Sequence, residues 1–124
     1  MPLVRSAAAT VHTTPNAIMR TLAAPSVGAA ELAVWEVAMS DGQAGPSHRV
    51  DHEQVWVVLQ GSLSIGLDAG IETLRVGAGD AAILPAKGER RVVADGDVRA
   101  LVSSVTPATV NTEDGGRRPL PWAV

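Results

Sequence analysis

The sequence predicts an all-β domain, an antiparallel β-barrel or sandwich around one core. Three observations carry this reading. Short apolar or alternating runs recur between Gly, Asp and Pro turn signals at spacings of about 8–12 residues, as antiparallel strands on tight connections do. Ser62 to Leu67 alternates, with Leu63, Ile65 and Leu67 on one face and Ser62, Ser64 and Gly66 on the other, the period of a half-buried strand. Val55-Trp56-Val57-Val58-Leu59 is continuously apolar and is soon stopped by Gly61, which reads as a buried strand.

Each element follows in order. Met1 to Thr14 is small, polar and aperiodic, and reads as an arm. Thr14-Pro15 suits the N-cap and first position of a helix over Asn16 to Leu22, and the same stretch suits an edge strand; both stay open. Glu31 to Ser40 reads as a strand, and Asp41-Gly42 and Gly45-Pro46 bracket a turn. His48 to Val50 is a short strand, Asp51 to Glu53 a polar turn, and Gln54 to Gln60 the apolar strand. Gly61 turns the chain into Ser62 to Leu67. Asp68-Ala69-Gly70 is a hairpin turn, Ile71 to Val76 a strand, and Gly77 to Asp80 the next turn. Ala81 to Leu84 runs into Pro85, which lacks a backbone N–H and so ends a ladder or marks an edge. Glu89 to Ala94, a turn at Asp95-Gly96-Asp97, and Val98 to Val105 complete the series. From Thr106 onward Pro, Gly and charge dominate. That end reads as an arm docking Trp122 on the barrel or on a second subunit. The expected organisation is an N-terminal arm (1–30), a barrel (31–105) and a C-terminal arm (106–124).

Composition excludes several function classes. A chain of 124 residues suits one core. It has no cysteine, hence no disulfide, thiolate metal site or cysteine nucleophile. A net charge of −3 with mixed signs leaves no basic stripe for nucleic acid. No apolar run approaches the ~20 residues of a membrane span, and the first ten residues lack the apolar segment of a signal peptide. The expectation is a soluble, cytoplasmic protein. Phe and Tyr are absent and only Trp35, Trp56 and Trp122 are aromatic, so Val, Leu, Ile and Ala must build the core.

The polar residues ahead of the apolar strand sit at its mouth, the usual layout of a small-molecule pocket in a β-barrel. The stretch Gly45 to Gly61, GPSHRVDHEQVWVVLQG, resembles the first motif of the cupin family. His48 falls on that motif's first histidine position, Val50 on the second, Gln54 on the glutamate and Gly61 on the closing glycine. GDAAILPAKGERR resembles the second motif, with Gly79 and Pro85 at matching spacing and Arg90 at the histidine position; if Gly88 is the turn glycine, Arg91 takes that place. The resemblance covers roughly residues 41–105. It implies a cupin-like antiparallel β-barrel (a double-stranded β-helix or jelly roll) with N- and C-terminal arms, and a homodimer, since cupins commonly pair. Three of the family's four metal-ligand positions are changed here.

By that resemblance His48, Gln54 and Arg90 face one cavity, and Trp56 shares the face of Gln54 because side chains alternate along a strand. His48 and Arg90 are the expected catalytic pair. Gln54, Trp56, Met39 and Val50 are the expected ligand-binding residues. A guanidinium offers donors only and cannot ligate a metal, but it suits a carboxylate or enolate. No metal or other cofactor is therefore expected. The alternative is a divalent metal held by His48, His52 and Gln54. His12 lies in the arm and has no expected role. The expected function is binding of a small anionic or carbonyl ligand, with metal-independent isomerase, cyclase or lyase chemistry in which His48 moves a proton and Arg90 and Gln54 stabilise an oxyanion. The alternatives are a non-catalytic sensor, an atypical metal cupin acting as oxygenase or isomerase, and a barrel with no ligand.

Overall fold

The computed structural model describes residues 1–112 and 114–124. Among the described residues ten strands form one curled antiparallel sheet: β1 (Val11–Thr13), β2 (Ile18–Ala23), β3 (Leu32–Met39), β4 (His48–Val50), β5 (Gln54–Leu67), β6 (Glu72–Gly77), β7 (Ala81–Leu84), β8 (Arg90–Val105), β9 (Thr109–Thr112) and β10 (Arg117–Pro119). The two long strands decide the shape. β5 and β8 pair from Gln54↔Ser104 to Leu67↔Arg90, and both bend midway. The first half of β5 lies between β7 and the end of β8, which carries β3, β2 and β1. The second half lies between β6 and the start of β8, which leads to β4, β9 and β10. The sheet thus folds over itself into the two layers of a jelly roll.

The core fills the space between the layers. Alternation along β3 turns Ala33, Trp35, Val37 and Met39 inward, and β5 adds Trp56, Val58, Leu63 and Ile65. Leu84, Val92, Val98 and Val102 complete it from β7 and β8. Burying one such aliphatic side chain is worth about 1.5–3 kcal/mol, which is how a chain without Phe or Tyr holds this fold.

Three expectations change. Gly61 and Gly96 are not turns between separate strands. They sit in bulges inside β5 and β8, where the register slips between Val58, Gln60 and Ser62, and the ladder runs on to either side. Both adopt left-handed φ, +79° and +78°. A glycine between two apolar runs signals a hairpin and a bulge equally. Secondly, residues 18–23 form a strand rather than a helix, and it is not an edge, because it pairs with β1 on one side and β3 on the other. The Thr14 hydroxyl caps a turn, accepting from the N–H groups of Asn16 and Ala17 at 3.3 and 3.1 Å. Thirdly, both arms join the sheet, through β1 and β2 at one margin and β9 and β10 at the other. Trp122 docks on its own barrel: its carbonyl accepts from Thr21 Oγ1 at 2.8 Å and its ring meets His12 edge-on at 6.4 Å.

Candidate functional site

Four of the predicted residues converge where β4, β5 and β8 begin. His48 and Arg90 are direct antiparallel partners and so share the inner face. The register settles which arginine turns inward. Arg90 is buried to 1% exposure, whereas Arg91 is exposed and donates from Nε to the Gly45 carbonyl at 3.2 Å. Gln54 lies 36 residues before Arg90, and the curl of β5 around β8 brings the two together. Arg90 Nη1 donates to Gln54 Oε1 at 3.3 Å, and Trp56 Nε1 donates to the same oxygen at 3.4 Å. Two donors on one atom fix the amide orientation, since only the oxygen can accept.

Arg90 is otherwise held by backbone. Nε donates to the Gly88 carbonyl at 3.0 Å, and Nη2 donates to the Pro85 carbonyl. No carboxylate lies within ion-pair distance among the described residues, and the neighbouring Glu89 turns away to Arg49 and Ser47. A buried cation without a counter-charge is costly unless something completes it. Burial pushes the guanidinium down to about 10, so it stays charged at neutral pH. Two of its five N–H groups, and the Gln54 amide nitrogen, have no protein partner among the described residues.

His48 Nδ1 lies 2.9 Å from the Pro46 carbonyl. A carbonyl only accepts, so Nδ1 carries the proton and Nε2 keeps its lone pair in the neutral ring. Burial holds this imidazole below its ordinary value, and the charge of Arg90 lowers it further, against the raising effect of the Pro46 carbonyl. Around this point the free groups are donors, with one basic lone pair.

The remaining predicted residues divide. Val50 is buried two residues from His48 on the same inner face. Met39 is buried but pairs with Val98, beyond the Gly96 bend from Arg90. It lines a different cleft, of about 520 Å³, with Thr13, Asn16, Gln43, Gln60 and Asp97. A second cleft of about 390 Å³ runs past Ser64, Thr73 and Arg91. Neither cleft contains the His48–Arg90 cluster. Sequence reasoning missed the carbonyls of Pro85 and Gly88. Both residues were legible in the second motif, but as turn formers rather than acceptors.

The residues do not fit a metal ion. Val50 has no donor atom, Arg90 has no lone pair, and Gln54 Oε1 already accepts from Arg90 and Trp56. A cation on Gln54 would sit against a fixed positive charge. His52 stands in the bend before β5, 3.9 Å from Asp51. No group of three or more His, Cys, Asp or Glu side chains is placed to hold a metal among the described residues.

Residues 35–106 match the family model for the cupin domain. Among solved structures, the polyketide cyclase RemF from Streptomyces resistomycificus superposes with a TM-score of 0.78 at 21% identity, over 97% of this chain and 85% of that one. An RmlC-like cupin from Shewanella frigidimarina gives 0.72 at 16%, over 83% and 88%. Oxalate decarboxylase from Bacillus subtilis gives 0.75 at 14%, over 85% of this chain but 29% of the larger enzyme. These likenesses are of fold. No curated protein sequence matches the chain.

Proposed function

The chain belongs to the cupin family, and on that premise we propose that its barrel binds a small anionic or carbonyl ligand and acts on it without a metal, as an isomerase, cyclase or lyase. One observation carries the reading: Arg90 is a buried cation whose three recorded partners are all neutral acceptors. An oxyanion on the guanidinium N–H groups supplies the missing charge. The Gln54 amide nitrogen offers further donors to the same oxygen.

The chemistry follows from the same groups. Neutral His48 takes a proton at Nε2 from a position activated by the ligand carbonyl. Negative charge then develops on the carbonyl oxygen, where Arg90 and Gln54 are fixed in advance to stabilise it. The imidazolium returns the proton at the second position or to a leaving group. Cyclase chemistry stays within this class because one neighbour of the same fold is a polyketide cyclase. A second reading, a sensor holding the same ligand unchanged, rests on the same buried cation, which binds an anion without needing a base.

The test is a thermal-shift and calorimetry panel of small carboxylates and β-dicarbonyls, with product followed by NMR. A ligand of the folded state raises the melting temperature. Gln54→Glu should abolish that rise, because its carboxylate becomes the counter-charge of Arg90. His48→Gln should keep the binding and lose the turnover. Equal binding by Gln54→Glu and the parent would refute the anion site. Binding without turnover in the parent would select the sensor.

A further inference from the structure

We propose that Pro85–Glu89 is the port of the barrel, and that an entering oxyanion takes the places of the Pro85 and Gly88 carbonyls on Arg90. The inference rests on reading Arg90 as the ligand's partner, and adds how the ligand reaches it. The segment joins β7 to β8 and lies over the guanidinium: Pro85, Ala86 and Lys87 are exposed, while Arg90 beneath them is 1% exposed. Its hold on the barrel is polar rather than apolar. Arg90 bonds the carbonyls of Pro85 and Gly88, Arg49 Nη1 bonds that of Lys87 at 2.9 Å, and the Lys87 N–H donates to Val50 O at 2.7 Å. None of residues 85–89 contributes a side chain to the buried core.

Two features bias this segment toward opening. Lys87 holds a left-handed φ of +65°, a conformation that costs a non-glycine residue about 1 kcal/mol or more. Two of the contacts that close the segment are made by Arg90 itself, so a group satisfying those donors removes both. A neutral carbonyl loses that exchange to a carboxylate or enolate, because only the anion brings a counter-charge to the buried guanidinium and can meet its planar fork with paired bonds. Lys87 places an exposed cation on the outer surface of the port, where an anion first meets the protein.

Native-state hydrogen exchange on the full chain tests this without a ligand. Corrected for intrinsic rates, the amides of Lys87 and Gly88 should exchange at least ten-fold faster than those of β8, with little dependence on added urea, as local opening does. If they exchange only with the slope and free energy of global unfolding, the port does not open and the proposal fails. Arg90→Lys keeps the charge but loses the double hold. It should speed exchange at Lys87 and Gly88 a further ten-fold while leaving β3 unchanged; an unchanged port would also overturn the proposal. A carboxylate that binds with no effect on these two amides refutes the port and leaves the anion site standing. Local opening with no carboxylate bound refutes the anion site.

Discussion

Gly61 separates two physical demands that its twin Gly96 does not. Both hold left-handed φ at the paired bends of β5 and β8, so replacing either with alanine carries the left-handed penalty of about 1–2 kcal/mol. The surroundings differ. A Cβ on Gly96 meets nothing within 4 Å, whereas one on Gly61 runs into the Asp97 carbonyl oxygen and comes within 3.2 Å of Val98 Cα. Those are backbone atoms of the strand paired with β5, and they cannot step aside without opening the ladder. Overpacking of that kind adds about 1–3 kcal/mol. Gly96→Ala should therefore lose about 1–2 kcal/mol and Gly61→Ala about 2–5 kcal/mol. At an unfolding entropy of about 0.26 kcal/mol/K for a chain this long, the melting temperature falls by about 4–8 °C and about 8–19 °C respectively. Calorimetry on both variants, with urea unfolding at 25 °C as a check, reads the difference. Equal losses within about 2 °C would refute the close-approach explanation. The contrast bears on the site, because this bend is what brings Gln54 against Arg90.

Two further predictions concern the cluster. His48 should titrate below 6.5 when its ring protons are followed by NMR, since burial and Arg90 both lower it. The unfolded chain then binds the proton more readily than the folded one. The contribution of His48 is therefore complete above about pH 6.5 and is lost as pH falls through the folded value. Stability should drop in that window for the parent and less for His48→Gln; a His48 titrating at or above 6.5 would sink the reading. Trp56→Phe removes the 3.4 Å bond to Gln54 and part of a buried ring. Urea unfolding should show a loss of about 1–3 kcal/mol, and a loss below ~0.5 kcal/mol would mean that the indole does not hold the amide.

The sequence determined the strand pattern of the central region, residues 31–105, but not the strands of the two arms. Alternation at Ser62 to Leu67, the apolar run at Val55 to Leu59 and the intervening turn residues depend on local chemistry. β4 and β7 appear with the bounds read from sequence. The cupin-like spacing located His48, Gln54 and Arg90. Tertiary structure decided what local chemistry leaves degenerate. Period-2 alternation says that neighbours face opposite ways but not which way, so Arg90 and Arg91 were separable only once β4 fixed the register of β8 at His48↔Arg90. A glycine permits positive φ at a hairpin or a bulge alike, and the partner strand selected the bulge. Met39 lies on an inward face as its pattern implies, yet the bend of β8 places it beyond the cluster. The bonds of Arg90 to Gln54, Pro85 and Gly88 depend on the curl of the whole sheet. Contacts of that range come from how strands pack, and no short window of sequence contains them.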